Sequence, residues 1–215
     1  MREDEKIFVR KRIGSLMEAL RKRGFDAHFF ETTQEAKQFI LDQIKPEEKI
    51  GIGGSVTLRD HLQIVNELRS RGNIIYDHWE ADHDAKRRLE LKRSQRGVDV
   101  FLSSMNAIAM DGTIVNLDGG GNRVASLCSG PRRVIVAAGA NKIVETMQDA
   151  INRTRQRAAV LRVLKGPFKT PCQATGKCTD CDSPERICAA LLILFKKPED
   201  IERFTVVLVN EEMGY

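Results

Sequence analysis

The stretch RRVIVAAG, residues 132–139, decides the fold class of this chain. It is a continuous apolar run, and such runs are typical of parallel strands that are buried on both faces of a sheet. The pattern after it, ETMQDAINRTRQRAAVLRVL at residues 145–164, indicates a long helix. A buried strand followed by a helix is the unit from which parallel α/β sheets are built.

The same alternation extends over the rest of the chain. KIGIG at 49–53 and VDVFLSS at 98–104 indicate buried strands, and FTVVLVN at 204–210 indicates a last one. Helical patterns separate them, such as TTQEAKQFILDQI at 32–44, where Thr32 or Thr33 is the expected N-cap. We therefore expect one domain over residues 1–215, an open three-layer α/β/α fold with a largely parallel sheet. In such a fold the strand-end loops share one edge, where ligands collect.

The composition excludes some classes of partner. The net charge is +5 and the pI about 9.0, but the positive charge is spread along helical patterns, for example at Arg153, Arg155 and Arg157. Aromatic residues make up 6% of the chain, and no base-stacking motif is present. We interpret these charges as solvated helix faces and do not expect nucleic acid as a partner.

The hydropathy pattern argues against a membrane partner. No apolar run approaches the roughly 20 residues of a membrane-spanning helix. The first residues, MREDEKIFVRKR, lack the apolar core of a secretion signal. We expect a cytoplasmic chain, and nothing in the sequence indicates an oligomeric state.

The first candidate loop is GIGGSVTLRD, residues 51–60. A buried strand leads into Gly53 and Gly54, whose missing side chains allow backbone N–H groups to approach a ligand. Ser55 and Thr57 add hydroxyl groups near a helix start, where an anion is favoured. No Lys-Ser/Thr pair follows at P-loop spacing. The loop is therefore either an anion cradle or a tight strand-to-helix turn with an N-cap.

The second candidate loop begins directly after a buried strand, in SSMNAIAMDGTIVNLDGGGNR at residues 103–123. Ser104 and Asn106 follow that strand, so we expect them at the ligand-bearing edge of the sheet. Asp111 precedes Gly112, and this dipeptide favours a hairpin turn over a catalytic acid. Asp111 nevertheless stays a candidate carboxylate.

The glycine run at the end of the same segment offers a second carboxylate. Asp118 precedes Gly119, Gly120 and Gly121, where the backbone must turn sharply and no side chain can shield it. A carboxylate in that position suits proton transfer or binding of a sugar hydroxyl. Asn122 and Arg123 follow at a helix start, and Arg123 is suited to clamp a carboxylate or a phosphate.

A third loop, GANKIV at residues 139–144, follows the strand quoted first. Asn141 and Lys142 stand just beyond the strand end, so Lys142 is either a point charge for an anion or an ordinary surface lysine. Cys128, in ASLCSGP, is interpreted as a packing residue.

A polar patch, DHWEADHD at residues 77–84, contains two histidines and several acids. Their spacing fits no known metal pattern, so a metal is the weaker interpretation. Asp82 or Asp84 is the expected cap of the following charged helix. His78 or Trp79 is a candidate lid over a neighbouring ligand.

Four cysteines cluster in PCQATGKCTDCDSPERIC, residues 171–188. Cys172, Cys178, Cys181 and Cys188 follow the spacing C-x5-C-x2-C-x6-C within one polar loop. Four thiolates within this reach suit a zinc ion or a [4Fe–4S] cluster. Free thiols and redox disulfides are the alternatives that the cysteine spacing leaves open.

Several of these segments together carry a family resemblance that extends from about residue 5 to residue 215. They are GGSVTLRD, SSMNAIAMDGTIVNLDGGGNRVA, GPRRVIVAAGANKIV, AINRTR and the cysteine loop. The chain resembles the LUD-domain family of lactate-utilisation proteins. The resemblance implies a fold similar to ribose-5-phosphate isomerase, glucosamine-6-phosphate deaminase and the CoA transferases, with a ligand site over the glycine-rich loops.

The resemblance implies less about function than about fold. Some family members belong to L-lactate oxidation operons beside iron–sulfur subunits, so a redox partner protein is one expectation. This chain lacks the paired ferredoxin-type cysteine motifs of those subunits. In the wider fold a carboxylate near the glycine loops often carries catalysis, which makes Asp111 and Asp118 the candidates.

Two functions follow from the sequence. In the first, the protein binds and transforms a small anionic metabolite, such as a hydroxy acid, a sugar phosphate or a CoA ester. Gly53, Gly54 and Ser55 would cradle the anion, Arg123 and Lys142 would neutralise it, and Asp118 would transfer a proton. In the second, the protein is a non-catalytic, metal-containing subunit or sensor of a redox system. The sequence leaves open whether the protein is an enzyme.

Overall fold

The frame of the protein is a six-stranded parallel sheet, seen in a computed structural model that describes residues 1–81 and 83–215. Its strands are β1 (Asp26–Phe30), β2 (Ile50–Ile52), β3 (Ile75–Asp77), β4 (Val100–Ser103), β7 (Arg133–Gly139) and β10 (Arg203–Val209). They lie in the order β1-β10-β7-β4-β2-β3, and every neighbouring pair is parallel. The predicted largely parallel sheet is confirmed.

A smaller mixed sheet packs beside the main one. Its strands are β5 (Ala107–Ala109), β6 (Ile114–Asp118), β8 (Ile143–Val144) and β9 (Ala190–Leu194), in the order β8-β5-β6-β9. β5 and β6 form the predicted antiparallel hairpin, with Gly112 in its turn at a φ of 86°. The sequence did not predict the second sheet as a unit, because β6 and β9 are joined by a pairing between distant segments.

Eight α-helices surround the sheets in the described part of the chain. They are α1 (Glu3–Lys22), α2 (Thr33–Asp42), α3 (Ile64–Ser70), α4 (Ala85–Ser94), α5 (Asn122–Cys128), α6 (Met147–Arg153), α7 (Ala159–Leu164) and α8 (Pro171–Thr175). A π-helical turn, Thr154–Ala158, joins α6 to α7, so the predicted long helix is continuous but locally widened. Thr32 caps α2 and Asp84 caps α4, as predicted, whereas Asp82 lies outside the described residues.

The core lies on both faces of the main sheet, which explains the unbroken apolar run in β7. Val134, Val136 and Ala138 face a cluster that contains α1 and the second sheet. Ile135 and Ala137 face the opposite cluster, formed with α2 and α3. This arrangement gives the three layers expected from the sequence. No helix within the described residues is long and apolar enough to span a membrane.

Candidate functional site

Three strand-end loops meet at Lys142, at the carboxyl edge of the main sheet. Lys142 ends a short 3-10 turn, Ala140–Lys142, that directly follows β7. Its ammonium group donates hydrogen bonds to Ser104 Oγ at 2.9 Å and to Thr57 Oγ1 at 3.1 Å. The residue is only 3% exposed, so it is not a surface lysine. The structure thus brings together one predicted residue from each of the three candidate loops.

The buried ammonium of Lys142 lacks an acidic partner among the described residues. Within the described part of the chain, its hydrogen-bond acceptors are the two hydroxyl groups alone. The pKa of Lys142 is lowered to about 7, mainly by burial and also by the positive charges of Arg153 and Arg123. A charge removed from water is normally compensated by an opposite charge. The charged groups that act on Lys142 are instead the guanidinium groups of Arg153 and Arg123.

Arg153 is the second cation of the site, and it extends from the end of α6. Its Nε donates to the carbonyl of Asn141 at 3.1 Å, and its Nη1 donates to the carbonyls of Asn106 at 2.5 Å and Tyr215 at 3.1 Å. Nη2 is enclosed and has no partner among the described residues. The pKa of Arg153 is lowered to about 10, chiefly by burial.

Sequence reasoning missed Arg153, which it assigned to a solvated helix face. The residue is only 9% exposed. The position of Arg153 in the helix could have revealed this. It stands three residues after Ala150 and directly before Thr154, and Ala150 and Thr154 are both fully buried. That spacing puts Arg153 on the sheet-facing stripe of the helix.

Arg123 is the third cation, at the start of α5. Its Nη2 donates to the carbonyl of Leu117 at 2.6 Å, and its Nε is enclosed without a partner among the described residues. Burial lowers the pKa of Arg123, while the carboxylate of Asp118 raises it. We refer to Lys142, Arg123 and Arg153 as the cationic cluster.

Asp118 holds the glycine turn that precedes α5. Its Oδ1 accepts a hydrogen bond from the backbone N–H of Gly120 at 3.2 Å, and its Oδ2 accepts one from the N–H of Arg123 at 2.7 Å. Gly121 completes the turn with a φ of 76°, which glycine adopts without strain. Asp118 therefore fixes the position at which Arg123 enters the site.

Two asparagines lie opposite each other at one end of the β5–β6 hairpin, and the backbone carbonyl of Asn106 accepts a hydrogen bond from Arg153. Asn106 Oδ1 accepts a hydrogen bond from the N–H of Leu117 at 2.8 Å. The register of the hairpin, with Ala107 opposite Val115, places Asn116 directly across from Asn106. Asn116 is fully buried, and both atoms of its amide lack a partner among the described residues. Such unpaired polar atoms cost about 1–3 kcal/mol each, so they mark a place where a ligand can supply hydrogen bonds.

The C-terminal tail, residues 211–215, covers Lys142. The N–H of Met213 donates to Asn141 Oδ1 at 3.1 Å, and the N–H of Gly214 donates to His61 Nε2 at 3.1 Å. A Cβ at Gly214 would lie 2.5 Å from Thr57 Oγ1 and 3.2 Å from Lys142 Nζ. The tail can therefore approach the ammonium this closely only because residue 214 is glycine.

The first glycine loop lies against Trp79. A Cβ at Gly54 would lie 2.9 Å from the indole Nε1, and the indole also lies under the guanidinium of Arg59, 4.6 Å from its ring centroid. Ser55 Oγ accepts a hydrogen bond from the backbone N–H of Leu58 at 3.2 Å. This contact is the one expected if Ser55 serves as an N-cap in a strand-to-helix turn. Trp79 thus packs against the first glycine loop, and its role as a lid over a ligand stays a prediction.

Gly53 packs against β4, whereas Gly54 packs against Trp79. A Cβ there would lie 2.7 Å from Ser103 Oγ, and its own N–H donates to the carbonyl of Leu102 at 2.9 Å. The amide of Gly53 is thus part of the sheet rather than available to an anion.

A buried hydrogen-bonded chain links His78 to the second glycine loop. Gln95 contacts His78 Nδ1 through its Nε2 at 3.2 Å, and its Oε1 accepts a hydrogen bond from Asn122 Nδ2 at 2.9 Å. The pKa of His78 is lowered to about 4, chiefly by burial and then by Lys92. A Cβ at Gly120 would lie 2.5 Å from Lys92 Nζ. Lys92 and Gln95 were not predicted, because nothing in a charged helix pattern marks them.

Most of the chain is similar to one known family. The LUD domain family matches residues 13–209. The chain belongs to the LUD-domain family. Its resemblance to that family, expected from the sequence, is therefore confirmed. No protein of curated function matches this LUD domain.

A solved structure has a similar fold. It is a DUF162 family protein from Deinococcus radiodurans, with a TM-score of 0.51 and 13% sequence identity. The match covers 93% of this LUD domain and 96% of the other chain. At this identity the similarity establishes a common fold and nothing about the ligand.

Asp111 of the LUD domain stands apart from the cationic cluster. It lies in the β5–β6 turn, where its Oδ1 accepts the N–H of Thr113 at 2.9 Å and its Oδ2 lies 3.0 Å from Arg23 Nη2. Asn106 lies at the opposite end of the same hairpin. The structure therefore places Asp111 in the hairpin turn that its sequence favoured.

The four loop cysteines of the LUD domain also form a group away from the cationic cluster. Cys172, Cys178, Cys181 and Cys188 line one small void, and no disulfide joins them. Cys128 lies elsewhere, packed against the core, where burial raises the pKa of its thiol.

Proposed function

We propose that this LUD domain binds a small anionic metabolite at the cationic cluster. One observation carries the proposal: Lys142 and Arg153 are buried, Nε of Arg123 is enclosed, and no side-chain carboxylate is hydrogen-bonded to the charged group of any of the three among the described residues. The Asp118 carboxylate partly offsets the charge of Arg123, whereas Lys142 and Arg153 have no acidic partner among the described residues. Charges of one sign without such a partner are unfavourable in a low-dielectric site. A carboxylate or phosphate would provide the opposite charge.

The neighbouring groups suit a ligand that also carries hydroxyl or carbonyl oxygens. Ser104 and Thr57 place hydroxyl groups on Lys142. Asn116 offers an unpaired amide on the same hairpin as Asn106, whose carbonyl accepts a hydrogen bond from Arg153. Hydroxy acids, sugar phosphates and CoA esters share this combination of an anion and neutral oxygens. The ligand class is therefore an oxygen-rich small anion.

Lys142 is the group best suited to exchange a proton with such a ligand. Its pKa is lowered to about 7, so both protonation states are populated near neutral pH. Asp118, the carboxylate candidate, has each oxygen occupied by a backbone N–H. We propose that Asp118 positions Arg123 and that Lys142 is the acid–base group of any reaction here.

The test is ligand binding by calorimetry after a thermal-shift screen of 2-hydroxy acids, sugar phosphates and CoA esters. Arg153→Gln and Lys142→Met should each weaken binding roughly 10- to 100-fold, because a charge-assisted hydrogen bond contributes about 1.5–3 kcal/mol. Arg123→Ala should have a similar effect.

Matched controls come from exposed positions on α4. Arg93→Gln and Lys86→Met remove the same charges from exposed residues and should leave affinity unchanged. Anion binding that is equal in Lys142→Met, Arg153→Gln and the wild type would refute the assignment.

A second candidate function rests on the cysteine loop and the strand after it. β9 is an edge strand of the smaller sheet, with Leu191 42% exposed and Phe195, just after it, 57% exposed. In this alternative the protein is a metal-containing subunit or sensor that docks on a redox partner. Absence of anion binding in the wild type, together with association with a redox protein that Cys181→Ser abolishes, would favour it.

A further inference from the structure

The four loop cysteines converge although they are spread over residues 172–188. Cys172 lies in the short helix α8, and Cys188 lies just before β9. Both line the same void as Cys178 and Cys181, with a volume of about 10 Å³. The cysteine loop, residues 171–188, thus brings its four cysteines to the wall of one void.

Charged side chains fix the backbone of this loop through hydrogen bonds and ion pairs. Arg186 donates through Nη1 to the carbonyl of Cys181 at 2.5 Å and through Nε to the carbonyl of Cys188 at 2.9 Å. Its Nη2 pairs with Asp180 at 2.8 Å, and Asp180 also pairs with Arg155 at 2.7 Å. The two arginines therefore bring positive charge to the void that the thiols line.

The opposite wall of the void is apolar. It is formed by Ala159, Val160 and Val163 of α7. The cysteine loop has one large apolar residue, Ile187, and no buried residue in its short helix. A segment with so little apolar surface cannot form its own core, and in such segments metal ions commonly provide the missing cross-links.

We propose that Cys172, Cys178, Cys181 and Cys188 bind one zinc ion as a tetrahedral thiolate site. Four thiolates are a preferred ligand set for structural zinc, and the charge of two minus on such a site is offset by Arg155 and Arg186.

The thiols must close on the ion for this site to form. Among residues 1–81 and 83–215, no three or more His, Cys, Asp or Glu side chains are arranged so that they could hold a metal as they stand. Zinc binding therefore requires the four sulfurs, which belong to residues that line one void, to move closer to one another. The bound zinc would then join α8, the loop and the start of β9 to one another.

The test is the metal content of the purified 215-residue chain, expressed in zinc-supplemented medium and measured by mass spectrometry. We expect about one zinc per chain in the wild type, as for a closed four-cysteine site. Cys181→Ser should lose most of the zinc. Cys128→Ser is the matched control, since Cys128 is the one cysteine outside the loop, and it should keep the wild-type content.

A second measurement covers the case in which Cys181→Ser does not fold. Wild-type protein stripped by a chelator should melt at a lower temperature and recover when zinc is returned. Cobalt in place of zinc should give the intense thiolate-to-metal absorption of a tetrahedral site. Iron with sulfide in anaerobically purified protein would overturn the zinc assignment. Absence of any metal, with four freely titratable thiols in the native protein, would overturn the site itself.

Discussion

At the scale of single residues, Lys142 lies in an environment that its sequence position does not predict. A lysine after a strand end is usually solvated, yet this one is buried under the tail and held by two hydroxyl groups. Its lowered pKa has a direct consequence for stability. Between pH 7 and about 10 the unfolded chain holds a proton on this lysine that the folded chain has released.

This linkage gives a prediction for Lys142→Met. Because the unfolded state binds more protons above pH 7, Lys142 makes the free energy of unfolding rise with pH in that range. Below pH 7 the buried charge destabilises the ligand-free fold in full. Lys142→Met should therefore exceed the wild type in stability at pH 6 by up to a few kcal/mol, and the advantage should shrink toward pH 10.

Urea unfolding at a series of pH values measures this difference. Lys86→Met, at an exposed position, should follow the wild type at every pH. A stability difference between Lys142→Met and the wild type that stays constant from pH 6 to pH 10 would contradict the lowered pKa.

At the scale of elements, the turn between β6 and α5 depends on one carboxylate. Asp118 accepts backbone hydrogen bonds at the start of α5, as Asp84 does at the start of α4. Asp84 is the N-cap residue of α4, whereas Asp118 lies before Gly121, the N-cap residue of α5, and reaches the first turn from there. Loss of a carboxylate that accepts N–H groups at a helix start costs about 0.5–2 kcal/mol of stability. The two carboxylates differ in their consequence for the site, because only Asp118 positions a member of the cationic cluster.

We therefore expect Asp118→Ala and Asp84→Ala to lower the free energy of unfolding by similar amounts. Only Asp118→Ala should also weaken anion binding, since Arg123 would lose its fixed entry into the site. Denaturant unfolding and calorimetry separate the two effects. Unchanged binding in Asp118→Ala would show that the glycine turn holds Arg123 without the carboxylate.

The secondary structure was largely predictable from the sequence, and the small sheet was not. The apolar run of β7, the Asp-Gly turn of the hairpin and the caps Thr32 and Asp84 are local signals, and each element they predicted is present. β8 has only two residues, and β9 pairs with a strand more than 70 positions away. Pairings of that kind depend on chain closure, which no local pattern encodes.

At the scale of the whole molecule, the tail, residues 211–215, lies over the carboxyl edge of the main sheet at Lys142. Gly214 has a φ of 65° and lies against Thr57 and Lys142. Any side chain there meets both a strained backbone and occupied space. The cover over the ammonium therefore depends on one glycine.

Gly214→Ala should displace the tail and expose Lys142. We expect Lys142 to react faster with an amine-directed reagent, measured by mass spectrometry of the labelled peptide. Gly72→Ala is the matched control, because Gly72 has a φ of 87° but a Cβ there would meet no described atom within 4 Å. Equal labelling of Lys142 in the two variants would show that the tail does not protect it.

The sequence by itself determined the α/β class, the family, the glycine turns and the loops that carry Thr57, Ser104, Arg123 and Lys142. The family followed from a resemblance of several motifs along the chain, and the other features from local patterns of apolar, glycine and capping residues, which act over a few positions. The tertiary structure decided which polar groups meet. It buried Lys142, turned Arg153 inward, set Asp111 apart in its hairpin turn and left Asn116 without a partner among the described residues. Burial and the balance of charge depend on atoms from distant segments, and for that reason only the folded chain could reveal the cationic cluster.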